Sequence, residues 1–166
     1  MRNSTLLFVI LVGFLTTSLI AQEKTWYDAN WQETTEDLAV YYRPEPKKIK
    51  DGYWIVDYYK SGQVQMEGFS SVNAAAEGKE KFNGLVTYFH SNGKVSHKAN
   101  YKNGNLHGVR KVFYETGELK EQGKYKNGKR EGVWKIFYRN GKIKEKGKYK
   151  NGEKAGVWKT FYKNTY

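Results

Sequence analysis

The residues of this chain that could do chemistry are three histidines, a recurrent glutamate and a crowd of lysines. A metal centre needs several ligands converging on one point. His90 and His97 flank a predicted turn with no acidic residue in either adjoining strand, and His107 sits in the turn before Gly108. All three read as surface or packing positions, His90 in the column that holds Tyr114 and Tyr138. Glu121 and Glu145 recur at one position and raise the paired carboxylates of a glycosidase, but no second feature supports that geometry. Their expected role is to bond neighbouring lysines or tyrosine hydroxyls. None of the glycine-rich turns precedes a helix or ends in Gly-Lys-Ser/Thr, so turn chemistry explains them without a phosphate. With no cysteine there is no disulfide framework and no lipid-anchored cysteine. The expectation is a protein that is not an enzyme and needs neither cofactor nor metal.

The lysines remain. Residues 84–166 carry twenty Lys/Arg against six Asp/Glu, whereas residues 22–83 are slightly acidic, so the excess behind the net charge of +12 lies in the carboxy-terminal half. A field of that sign attracts anions of any kind.

What positions these lysines is a repeat. Gly84, Gly108, Gly132 and Gly156 are spaced by 24 residues, and each is followed at fixed offsets by Phe89, Phe113, Phe137 and Phe161. Turn glycines recur at Gly93, Gly117 and Gly141 and again at Gly104, Gly128 and Gly152, with Tyr101, Tyr125 and Tyr149 between them. Asn-Gly between alternating segments predicts a two-residue type I′ hairpin, so each unit reads as two antiparallel strands and successive units extend one meander. Counting from Asn140-Gly141, Tyr138 should face Ile143, Ile136 should face Glu145 and Trp134 should face Gly147, all on an aromatic side. Val133, Lys135, Phe137, Lys144, Lys146, Lys148, Val157, Lys159 and Phe161 should hold the other. Lys120 and Lys124 belong to the preceding unit of the same stripe. Gly123 and Gly147, weak choices inside a strand, leave room for the indoles of Trp134 and Trp158 to lie over the backbone.

The expected fold is therefore all-β, an elongated single-layer antiparallel meander of two-stranded units of about 24 residues. A degenerate unit spans 51–83, full units 84–107, 108–131 and 132–155, and a half unit 156–166. In the degenerate unit Trp54 aligns with Trp134 and Trp158, and residues 70–84 form a longer connection. Residues 22–50 differ in composition and should cap the first edge, with strands at Trp26, Trp31 and 39–43, a capped helical turn near Thr34 and Asp37, and a stop at Pro44 and Pro46. Residues 1–21 have one early arginine, an apolar run over 6–15 and a polar end at Ala21, the layout of a cleaved export signal. That run is short of the roughly 20 residues that span a bilayer, so the expected location is the periplasm, cell surface or extracellular space. The final strand is left as an open edge, through which a second copy could pair.

The segment YKNGKREGVWKIFYRNGKIKEKG resembles the bacterial variant of the MORN repeat, with its Tyr-x-x-Gly-x-x-x-Gly-x-Trp-x-x-x-Tyr-x-x-Gly pattern, and the chain is similar to secreted relatives of the YwqK-type proteins. Arg110 stands where Trp134 and Trp158 stand, and Ala99 where Gly123 and Gly147 stand. The resemblance implies a sheet that serves as a scaffold for a protein partner or an envelope component. Two alternatives stay open: binding of an anionic polysaccharide or membrane surface through Lys144, Lys146, Lys148 and their counterparts, and immunity to an exported toxin, since some YwqK-type proteins are labelled antitoxins. The lysines also have a plain competing role, keeping a sheet solvated and discouraging edge-to-edge aggregation. Lysine without arginine forks does not suit specific nucleic-acid recognition.

Overall fold

In the computed structural model, which describes residues 23–74, 78 and 80–162, the chain is all β. Among these residues the strands are β1 Lys24–Tyr27, β2 Tyr41–Pro44, β3 Lys47–Ile49, β4 Gly52–Tyr59, β5 Val64–Ser70, β6 Phe82–Phe89, β7 Val95–Lys102, β8 Asn105–Phe113, β9 Leu119–Lys126, β10 Lys129–Phe137, β11 Ile143–Lys150 and β12 Glu153–Thr160. They form one antiparallel sheet in the order β1-β2-β4-β5-β6-β7-β8-β9-β10-β11-β12, with β3 paired to β4 beside β2. The expected meander is thus observed, and β2 and β3 cover the free edge of β4, with β1 outside β2. The residues read as an export signal lie outside the described part.

The two turns of each unit differ, which corrects the expectation of type I′ at both. Asn103, Asn127 and Asn151 have φ of 50°, 50° and 53°, and the glycines after them also have positive φ, so these are two-residue type I′ turns. Asn140 is not in that region: Gly141 N–H donates to the Tyr138 carbonyl at 2.9 Å and Tyr138 N–H to the Lys142 carbonyl at 2.9 Å. This is a three-residue loop ending on a left-handed glycine, which adds one residue to the following strand. Phe137 rather than Tyr138 therefore faces Ile143, while Ile136↔Glu145 and Trp134↔Gly147 stand as expected.

A second irregularity explains the glycines that mark the period. Between β9 and β10 the register jumps from Glu131↔Lys124 to Lys135↔Gln122, so Gly132, Val133 and Trp134 stand against the single residue Gly123. Gly132 has φ of 69° at this bulge, and Gly84, Gly108 and Gly156 repeat both the conformation and the jump. The bulge swings the Trp134 indole back over Gly123, where an added Cβ would stand 2.2 Å from the ring. Trp158 covers Gly147 in the same way.

The aromatic face carries the core. At its amino-terminal end Ala74 is buried with Ile55, Met66, Phe82 and Val86. At the other end Tyr125, Trp134, Tyr149 and Trp158 form an edge-to-face chain with centroids 5.1–5.5 Å apart. Arg130 lies 4.3 Å over the Trp134 ring and donates to the Tyr149 hydroxyl at 2.9 Å.

The amino-terminal segment departs from expectation in detail. β2 begins at Tyr41, and residues 36–38 make a turn instead of a helical turn. Trp31 is outside any strand, at φ 60°, stacked on Tyr41 at 4.4 Å. Trp54 is not the counterpart of Trp134. Counting back four residues from the hairpin tyrosine, Tyr59 or Tyr114, reaches Ile55 and Arg110, and Ile55 pairs with Gly68 as Trp134 pairs with Gly147. Trp54 falls one place earlier, on the opposite face, 37% exposed.

Candidate anion-docking face

The face opposite the core is built by register alone. Partner by partner, Val56, Glu67, Thr87, Lys98, Lys111, Gln122, Lys135, Lys146 and Lys159 stand opposite one another across nine consecutive strands, without a break. The bulges and loops fall to either side of this row. At the usual interstrand spacing, about 4.8 Å, it places five lysines along some 24 Å between β7 and β12. Lys98 faces Lys111, Lys135 faces Lys146, and Lys146 faces Lys159. Like charges directly opposite one another are unfavourable, and none of these lysines makes an ion pair among the described residues.

Beside the row runs a second one. Trp54, Leu85, Val109, Val133 and Val157 occupy equivalent places, one per unit, and all are exposed, from 37% at Trp54 to 80% at Val157. Lys124 faces Val109 and Lys148 faces Val133. Val109, Lys111, Lys124, Val133 and Lys135 border one shallow hollow, and Val133, Lys146, Lys148, Val157 and Lys159 border the next.

Of the lysines expected on this face, Lys124, Lys135, Lys146, Lys148 and Lys159 are there. Lys120 and Lys144 are not part of the ladder: the register steps over both, from Val112↔Glu121 to Phe113↔Leu119 and from Ile136↔Glu145 to Phe137↔Ile143. The three-residue loop is the cause, and Lys120 Nζ sits 5.5 Å from the Tyr114 ring centroid instead. Lys98 and Lys111 were not picked out from the sequence. They occupy the columns of Lys146 and Lys135, so the 24-residue period alone would have found them. Among the structural positions, Phe113 borders a shallow hollow with Lys98, and Gly108, Gly132 and Gly156 mark the bulges.

The other candidates are absorbed by packing. Glu121 accepts from Arg110 at 3.2 Å and lies 3.8 Å from Arg130, so its partners are arginines and not the lysines or tyrosines expected. His107 lies within β8, not in a turn, with Nδ1 3.2 Å from Asn127 Oδ1. His90 Nε2 is 3.3 Å from the Phe113 carbonyl, repeating Tyr59, Tyr114 and Tyr138, whose hydroxyls donate at 2.7–2.9 Å to the carbonyls of Phe89, Phe137 and Phe161. These bonds tie each hairpin to the next. Among the described residues no group of three or more His, Cys, Asp or Glu could hold a metal.

His97 stacks on Tyr88 at 4.0 Å, and burial, with Arg110 and His90 adding like charge, pushes its pKa down to about 4. The unfolded chain takes up this proton near pH 6.5, so the stability is fully present above that pH and is lost as pH falls toward 4. Since the ring is only half-buried, the loss is about 1–2 kcal/mol. Urea unfolding at pH 7.5 and 4.5 checks this: His97→Phe, which keeps a stacking ring, should lose less on acidification than the parent, and equal losses would refute it.

With this geometry in place, the comparison with known families falls on the hairpins. Residues 82–103, 106–127 and 130–151 match the family model of the MORN repeat variant. The β6–β7, β8–β9 and β10–β11 hairpins are thus similar to MORN-type repeats. No curated protein matches the chain. Each matched MORN segment is one hairpin with its three-residue loop, and the type I′ turns join one segment to the next. The two departures seen in the sequence are a single substitution in space, since Ala99 is the partner of Arg110.

Proposed function

We propose that this is an exported, non-enzymatic scaffold whose lysine face docks an anionic partner. The observation that carries the reading is the row of Lys98, Lys111, Lys135, Lys146 and Lys159, interrupted only by the neutral Gln122, in which like charges oppose one another with no carboxylate between them. A face kept only for solubility is better served by interspersed signs, and the carboxylates Glu121 and Glu145 are spent on the opposite side. Repeats of this type support a binding role over catalysis, and the apolar run over residues 6–15 supports export. Kinship with the YwqK-type proteins belongs to the same reading, with an anionic envelope component as the partner.

The test exploits the cost of the row. Lys135→Glu should stabilise the fold by about 0.2–1 kcal/mol, since it sets a carboxylate opposite Lys146, and Lys135→Glu combined with Lys146→Glu should weaken binding to poly-glutamate on the order of tenfold. Binding should also decline as salt rises, because exposed charges are screened. Chemical unfolding and titration with the polymer measure the two effects. Poly-glutamate binding untouched by the double substitution would rule the docking face out.

A further inference from the structure

From the same face we infer a more specific ligand, a linear acidic polysaccharide, an inference that rests on the docking reading above. The row of lysines continues, on the same face, into groups that a bare polyanion does not use. Next to the lysines stand the buried Thr87 and then Glu67, in register with Lys98 through one another, and Asn100 faces Leu85. Beyond them Trp54 exposes its indole in a shallow hollow with Pro44, Val56 and Tyr58, and Lys47 is its cross-strand partner. An exposed indole beside a cation accepts the apolar face of a sugar ring and its carboxylate. The amide of Asn100 can bond sugar hydroxyls, and the lysines then meet the acid groups of successive sugars.

The shape of the sheet selects a chain over a surface. At the usual rotation of roughly 20–25° between adjacent strands, the face at β12 would be turned by about 100–125° from the face at β7. A flat bilayer meets only part of such a row, whereas a linear polymer follows it from lysine to lysine. The two hollows beside the row, floored by Val109, Val133 and Val157, give the pyranose rings apolar contact along the way.

The experiment titrates the full chain with three probes: polygalacturonate, poly-glutamate of matched charge, and phosphatidylglycerol vesicles. Polygalacturonate should bind about tenfold tighter than poly-glutamate, the rings adding a contact that charge alone lacks. Trp54→Ala should remove that advantage while leaving poly-glutamate unchanged, and Trp54→Tyr should retain it, which separates ring stacking from misfolding. Lys47→Glu should weaken polygalacturonate several-fold more than poly-glutamate. Equal binding of the two polymers, or vesicle binding without polygalacturonate binding, overturns the polysaccharide inference and leaves the docking face standing. Failure of all three probes to bind overturns both.

Discussion

Arg43→Ala is expected to cost about 3–5 kcal/mol and to open the amino-terminal end of the sheet before the rest. Arg43 is 1% exposed and sits on the aromatic face of β2. Its Nε donates to Asp57 Oδ1 at 2.6 Å and its Nη2 to Asp57 Oδ2 at 2.7 Å, a bidentate pair, while Nη1 reaches the Ala74 carbonyl at 3.1 Å and the Glu80 carboxylate. Burial alone would lower the guanidinium pKa, but Asp57 and Glu80 overturn that and hold it above its ordinary value. One side chain thus joins β2, β4 and the two residues Ala74 and Glu80 that lie between β5 and β6. Alanine leaves two carboxylates buried beside one another without a cation, the costly half of breaking such a pair.

In an array whose units touch only their neighbours, that loss should stay local. Hydrogen exchange should quicken through β1–β5 and leave β10–β12 as protected as before. A loss under about 1 kcal/mol, below what breaking a buried pair costs, or equal deprotection of both ends, would refute the account.

Nothing in the sequence announced this triad, because its members lie 14 and 37 residues apart and outside the period. The period itself was legible because it is written in residues that carry backbone geometry. Asn103, Asn127 and Asn151 never vary, since both central positions of a type I′ turn need positive φ. At the three-residue loops the matching place is Asn92, Thr116 and Asn140. That variation was the available sign that only the glycine there is constrained. Overlooking it displaces Tyr138, Lys120 and Lys144 by one place and nothing beyond them, since the register shifts back between Phe137↔Ile143 and Ile136↔Glu145, and likewise between Phe113↔Leu119 and Val112↔Glu121. Lys135, Lys146 and Lys159 were placed correctly because they lie between two irregularities. Residue type aligns Trp54 with Trp134, whereas distance from the hairpin sets the face and puts Trp54 on the other one.

The same counting leads to the second large effect, at Gly123. Its Cβ, if added, would stand 2.2 Å from Cδ2 and Cε2 of Trp134, the rigid fused edge of the indole, and Trp134 is 1% exposed. Gly123→Ala must therefore expel the ring or shift β10. The expected cost approaches that of Trp134→Ala itself, about 3–5 kcal/mol, and far exceeds the few tenths that a strand alanine would otherwise gain. The chain contains its own control. At the equivalent pair Ala99 carries the methyl group, and the residue over it is Arg110. At Gly68 the covering residue is Val86, whose methyl would lie 2.8 Å from an added Cβ. Glycine is thus kept where a broad or branched side chain lies across the strand, and alanine is found where a slender one does.

Gly123→Ala joined to Trp134→Arg rebuilds the Ala99–Arg110 arrangement one unit later. The double variant should be more stable than the sum of the single losses predicts, with a coupling of about 1–3 kcal/mol. Glu145 stands to position 134 as Glu121 stands to Arg110, so a carboxylate is in place to receive the new arginine. A double-mutant cycle read by urea unfolding measures the coupling. Strict additivity would mean that glycine and tryptophan are independent choices, and that the bulge at Gly132 serves something other than laying the indole on the strand behind it.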